Sequence, residues 1–218
     1  MSEIKTNTCL RRYGKEWEKD LQRHLAQYFK DKGKPTLARK PYIIEKRSAT
    51  DWHENILLER VWQYIEEQKK QHHFALHKYV HHGLSSQAFL FNLLGPLVVD
   101  KQWYLFDEIL RQAGIQLSAS VANAQFEFED REVFNERQKQ PTSIDLYLCT
   151  RADEKVFVEF KFTEKNFGGC SVFNDGDCDG RNPARNFDLC YLHKAKRLLY
   201  WELMKKYGLL SNQMKEDS

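Results

Sequence analysis

Thr142-Ser143-Ile144-Asp145 opens a strand-like run, and Val156-Phe157-Val158-Glu159-Phe160-Lys161-Phe162 follows it after a charged turn. The pattern is Asp145, a gap of thirteen residues, then Glu159-x-Lys161. Two hard carboxylates and one ammonium on adjacent strands can hold a divalent cation and activate water against a phosphodiester. Side chains alternate along a strand, so Glu159 and Lys161 share a face there, and Asp145 joins them if the hairpin register brings it alongside. Charges converging in an apolar hairpin are costly to bury unless they are paired or bind a metal. The alternative is a cross-strand salt-bridge ladder on a solvated face. Glu67-Gln68-Lys69 repeats the same letters in a polar helical stretch, where residues two apart point in different directions, and reads as a decoy.

The surrounding elements must position these groups. In residues 15–32, Trp17, Leu21, Leu25, Tyr28 and Phe29 recur at helical spacing, with Gly33 as a stop. Residues 34–50, with Pro35 and Pro41, read as a basic connecting loop. Asp51 with Glu54 makes a capping-box pattern ahead of a helix bearing Leu57, Leu58, Val61 and Ile65. Ser85 or Ser86 can cap an apolar helix carrying Leu90, Leu93, Leu94 and Leu97. A further helix is predicted from Gln102 to Ala113, stopped by Gly114. The period then changes to two: Phe126 and Phe128 alternate with Glu127 and Glu129, and Ile144, Leu146 and Leu148 share a face opposite Asp145 and Tyr147. Arg151 to Lys155 is the predicted hairpin connection. Residues 164–186 look irregular, and a last helix is predicted from about Phe187 to Tyr207. Helices, a three-strand meander and a final helix suggest α+β or a mixed α/β/α sandwich, within an α/β (α+β) class that would have a central mixed β-sheet flanked by helices. The whole of 1–218 reads as a single domain, with a mostly helical part at 1–83 and the core at 84–207.

Composition bounds the function. Hydrophobic residues make up 41% and charged residues 30% of 218, enough for a real core under a solvated surface. A formal charge of +3 is too small to argue for nucleic acid, but its distribution is informative. Residues 30–47 carry seven Lys/Arg and residues 125–136 carry five acids. A basic flank beside an acidic centre suits a polyanion at a metal site, although a solvated surface explains either run alone. No apolar run is long enough for a membrane span, and no signal-peptide core begins the chain, so a cytoplasmic protein without membrane partners is expected. Five cysteines, an odd number, fit a reducing compartment. Cys170, Cys178, Cys190 and His193 could ligate a structural Zn²⁺ in the glycine-containing loop, or remain free thiols and an ordinary imidazole. His73, His77 and His81 would share one helical face, as a Zn²⁺ pair or as a surface that gains charge below neutral pH.

Asp145…Glu159-x-Lys161 on a β-hairpin resembles the PD-(D/E)XK nuclease superfamily, with its restriction-endonuclease-like fold. The run Leu84 to Leu97, containing Ser85-Ser86-Gln87, Phe91-Asn92 and Gly95-Pro96-Leu97, is similar to the helix signature of one bacterial branch of it. That branch also shows strings like Phe126-Glu127-Phe128, Phe162-Thr163-Glu164 and Tyr200-Trp201, so the resemblance runs in order over about residues 74–204. The superfamily's proline before the aspartate is Ile144 here. The resemblance implies an Mg²⁺-dependent nuclease (Mn²⁺ a possible substitute) acting on DNA, an endonuclease that could work as a homodimer. It implies Asp145, Glu159 and the Phe160 carbonyl as metal ligands and Lys161 as the group that orients water and meets developing charge. Glu127 would be a third acid and Gln87 a contact near the scissile phosphate. A module that keeps the fold but binds nucleic acid without cutting is the alternative.

Overall fold

The computed structural model describes residues 7–72, 74, 76–130, 143–163 and 206, with side chains from residue 16 onward. The chain divides into two compact units, residues 1–127 with 145–163 and residues 128–144 with 164–218. All the candidate groups described below lie in the first.

That unit begins with α1 (Asn7–Asp31), closed by Gly33 at φ +62°. Residues 34–50 are not simply a loop. A small hairpin forms there from β1 (Thr36–Leu37) and β2 (Lys40–Ile44), with Thr36 opposite Ile44, and it lies against α1. The prolines misled because Pro35 precedes β1 and Pro41 sits near the start of a two-stranded ribbon, where proline is tolerated. Ile43 and Ile44 are buried and anchor the hairpin. The far edge of β2 meets the segment His81–Gly83: Ile44 N donates to His81 O and Gly83 N to Tyr42 O, at 3.1 and 3.0 Å. A Cβ on Gly83 would stand 2.7 Å from the Tyr42 oxygen, so this approach requires glycine.

The Asp51–Glu54 pattern does not cap a long helix. Asp51 turns its carboxylate back to accept from the Ser48 hydroxyl (2.7 Å) and the Arg47 and Ser48 amides, and Asp51–Asn55 forms one 3-10 turn. The following helix, α2 (Glu59–His72), starts only after an extended Ile56. Glu67 and Lys69 lie on it and engage different partners, Gln71 and Glu66, so the second Glu-x-Lys is indeed a helical surface feature.

α3 (Ser86–Val99) is capped by Ser85, whose hydroxyl accepts from Ala88 N. Leu90 and Phe91 are fully buried. α2 packs directly on α3 because Gly95 has no side chain: a Cβ there would fall 2.6 Å from Val61 Cγ1. α4 (Trp103–Gln112) ends at Gly114, φ +80°, as its sequence predicts.

A three-stranded sheet follows, in the order β3 (Val121–Glu129), β4 (Ser143–Thr150), β5 (Lys155–Val158). β4 and β5 run antiparallel, with Leu146 opposite Val158 and Leu148 opposite Val156. Leu146 and Leu148 are buried, on the face shared with Ile144 in the alternation. They join Phe126, Phe91, Ile65 and Trp52 in one apolar cluster between sheet and helices. The architecture is therefore α+β, helices with two small antiparallel sheets, and fits a restriction-endonuclease-like fold. Among the described residues, no helix is long and apolar enough to cross a membrane.

Candidate active site

The β4–β5 ladder sets the geometry. Continued one step past Leu146–Val158, its register puts Asp145 opposite Glu159. Regular pairing ends at Val158, so Glu159, Phe160 and Lys161 lie just beyond the strand that the alternation predicts through Phe162. The chain stays close to β4 there because Asp145 Oδ2 accepts from Phe160 N at 2.6 Å. Lys161 Nζ lies 2.5 Å from Glu159 Oε1, so the two charged side chains do converge. Two aromatic contacts hold this short segment. Phe160 and Phe162 pack on Phe89 of α3, with ring centroids 5.6 and 4.1 Å away. The segment owes its position to the odd-facing aromatics that its sequence interleaves with the charges.

Gln87 and Glu127 meet. Gln87 lies in the first turn of α3, and its Nε2 donates to Glu127 Oε1 at 2.7 Å. Its Oε1 accepts from the backbone of His77 at 2.9 Å. Glu127 is buried, at 8% exposure, and holds φ +51°, a backbone state that costs a non-glycine residue about 1 kcal/mol or more. A buried acid in a strained backbone, aimed at an amide from another element, is unusual for a residue that only completes a strand. β3, which carries Glu127, is hydrogen-bonded to β4, which carries Asp145.

Asp145 and Glu159 offer hard oxygen donors. Asp145 is half-buried and Glu159 exposed, so both are open to an ion and its waters. Among the described residues no three His, Cys, Asp or Glu side chains gather closely enough to share one ion. A single ion held by Asp145 and Glu159 could complete its shell with backbone, water or substrate oxygens. That suits Mg²⁺, which keeps several waters and uses one or two carboxylates. Tyr147 lies opposite Phe157 on the same side of the ladder, with ring centroids 5.5 Å apart. Burial and the neighbouring Cys149 push its phenol up to about 12, so it remains protonated and can donate but not act as a base near neutral pH.

Two histidine and cysteine expectations fare differently. α2 ends at His72; His77 and His81 lie beyond it in a non-helical segment that Phe74 and Val80 tie to the core, so those two share no helical face, and His73 lies outside the described residues. Cys170, Cys178, Cys190 and His193 lie outside the described residues. Asn55 and Asn92 were not singled out by the sequence, and they brace the site's helix. Asn92 accepts from Leu57 N and donates to Asn55 O, while buried Asn55 donates to the Val80 and His82 carbonyls, all at 2.8 to 2.9 Å. The signal lay in the Phe91-Asn92 pair: a polar residue inside an otherwise apolar helix needs a partner.

A model of the family described as restriction endonuclease associating with ARP matches residues 17–218. No curated protein and no solved structure matches the chain.

Proposed function

Because the chain belongs to the family of restriction endonucleases associating with ARP, we propose that it is a PD-(D/E)XK-type, Mg²⁺-dependent endonuclease that hydrolyses DNA phosphodiester bonds. What supports this reading is the β4–β5 register, which continued one step past Leu146–Val158 would set Asp145 against Glu159, and the pairing of Lys161 with Glu159. Asp145, Glu159 and the Phe160 carbonyl would hold the ion. Bound there, Mg²⁺ supplies Lewis-acid polarisation of the phosphate and a more acidic water.

The chain's own groups do the rest. Asp145, fixed by the Phe160 amide, presents its second oxygen in a set direction. Lys161 orients the attacking water and offers its ammonium to the charge that builds on the phosphoryl oxygens as the new P–O bond forms and the leaving oxygen departs. Its salt bridge to Glu159 keeps it there beforehand. Glu127 positions or deprotonates water, and Gln87 holds Glu127 while lying beside the strand. Each chain carries one such site, so cutting both strands of a duplex would call for two copies.

One observation favours a second reading. The close Lys161–Glu159 pair occupies the carboxylate that an ion would need, as in a module that binds DNA without cutting it. Incubation of linear, circular, single-stranded and branched DNA with Mg²⁺ or Mn²⁺ separates the two. The nuclease cuts at least one substrate, and Lys161→Ala or Asp145→Asn stops it. Cleavage that survives both substitutions, or salt-sensitive binding with no cleavage at all, sinks the enzymatic assignment.

A further inference from the structure

The basic run after α1 contributes to a cavity on the side of α3 where Gln87 begins. Lys46 and Arg47 follow β2, Lys69 lies on α2 and Lys78 in the turns after it, and all four line a cavity of about 530 Å³. Among the described residues its lining includes no carboxylate. Two of the cations are answered from outside it, Arg47 by Glu45 and Lys69 by Glu66. Lys46 and Lys78 have no ion pair among the described residues, and Lys78 instead lies 4.7 Å from the Tyr79 ring centroid. With Arg47 answered by Glu45 and Asp51, and Lys69 by Glu66, Lys46 and Lys78 are the charges that raise the local potential for an anion. Burial, together with the Lys46 ammonium, holds the nearby His81 imidazole below its ordinary range.

A second observation is independent of charge. Trp52 lines the same cavity and is 4% exposed. Its indole Nε1 is buried without a hydrogen-bond partner, the one such side-chain atom among the described residues. Buried donors are nearly always satisfied, and this one, on a residue of the cavity wall, finds no acceptor among the described residues. Lys69 sits over the Trp52 ring at 5.6 Å, which keeps a cation beside that donor. The other basic concavity, along α1 near Lys30 and Lys34, has no buried donor of this kind among its lining residues.

The cavity adjoins the candidate active site through one residue. His77 lines it, and the His77 backbone N–H donates to Gln87, which in turn holds Glu127. We propose that this cavity binds a phosphate of the DNA strand away from the bond being cut, and so sets where along the strand the Asp145–Glu159 pair acts. This rests on the nuclease reading for its substrate.

The test reads binding apart from cleavage. The full chain, in EDTA, is titrated against a labelled duplex by fluorescence anisotropy over a series of salt concentrations. Lys46→Gln with Lys78→Gln should weaken binding by about tenfold at low salt and make the plot of log K against log salt shallower by about one phosphate's worth, ~0.9. Trp52→Phe keeps an aromatic ring in the wall but removes the N–H with the smaller ring; where its melting temperature is kept, it should weaken binding with the slope unchanged. Both substituted lysines are exposed, and unchanged melting temperatures establish that the fold is kept. Wild-type affinity and slope in the lysine variant overturn the proposal, even where cleavage is confirmed. Inorganic phosphate that shields Lys46 from acetylation while the variant binds DNA normally also overturns it, in favour of a small phosphate compound. Pocket-dependent binding by a chain that never cuts keeps the phosphate site but overturns its part in placing the cut, together with the nuclease reading.

Discussion

The amide of Phe160 donates to Asp145 just beyond the last paired residues of the β4–β5 ladder, where the register, continued one step, sets Asp145 against Glu159. Asp145 thus has two roles that substitution can separate. Asn retains an acceptor for the Phe160 amide but loses the charge; Ala loses both. Asp145→Asn should fold with nearly wild-type stability, and Asp145→Ala should lose about 1–2 kcal/mol through the unmet amide. If the pair holds Mg²⁺, the ion should raise the wild-type melting temperature by mass action, worth ~2.7 kcal/mol at a hundredfold excess over Kd, and neither variant should respond. Differential scanning fluorimetry with and without Mg²⁺ measures both effects. An equal Mg²⁺ response in Asp145→Asn would rule the pair out as the ion's site.

Gln87 and Glu127 make the second relationship, and its energetic signature differs from that of a surface contact. Glu127 is buried and strained, so leaving either partner unmatched is penalised beyond the value of the bond. A double-mutant cycle of Gln87→Ala and Glu127→Ala should give a coupling of about 1–3 kcal/mol by chemical denaturation. Activity decides whether the acid is functional. Glu127→Gln keeps size and hydrogen-bonding capacity but removes the charge, so a role in water positioning predicts at least a tenfold loss of cleavage with the fold intact. Full activity in Glu127→Gln would reduce the pair to a structural tie.

The residues that carried their meaning in sequence were those whose local chemistry is self-contained. Ser85 before an apolar run, Gly33 and Gly114 after one, and the alternation through Leu146 and Leu148 each name their own structure. The hairpin at Thr36–Ile44 and the 3-10 turn at Asp51 did not, because both are decided by tertiary partners: Ile43 and Ile44 reach the core, and Asp51 turns back to Ser48. The candidate site divides the same way. Asp145, Glu159 and Lys161 follow from hairpin register, which sequence can express. That Gln87 would reach Glu127, forty residues away, depends on how α3 sits on the sheet, and no local pattern encodes it. The polar brace of Asn55 and Asn92 was missed for the same reason.

The turn that sets the β4–β5 register is closed by a carboxylate and should respond to pH. Glu154 closes it: its carboxylate accepts from Ser118 N at 3.1 and 3.0 Å, from Ala119 N at 3.2 Å and from the Thr150 hydroxyl at 3.2 Å. The Ser118 amide, first among these donors, holds the carboxyl below its ordinary range. A carboxyl whose pKa falls on folding binds fewer protons in the native chain than in the unfolded one. Its stabilisation is therefore fully present above the ordinary carboxylate range and is lost as pH falls through the lowered folded value. Because this turn fixes the step that sets Asp145 against Glu159, the loss should reach the site. Glu154→Gln should lower the melting temperature near neutral pH and flatten its fall in mild acid, compared with wild type measured in the same buffers. It should also weaken cleavage at neutral pH, where Asp145 and Glu159 themselves are unchanged. Parallel wild-type and Glu154→Gln stability curves from pH 7 to pH 3 would show that the carboxylate does not govern the hairpin.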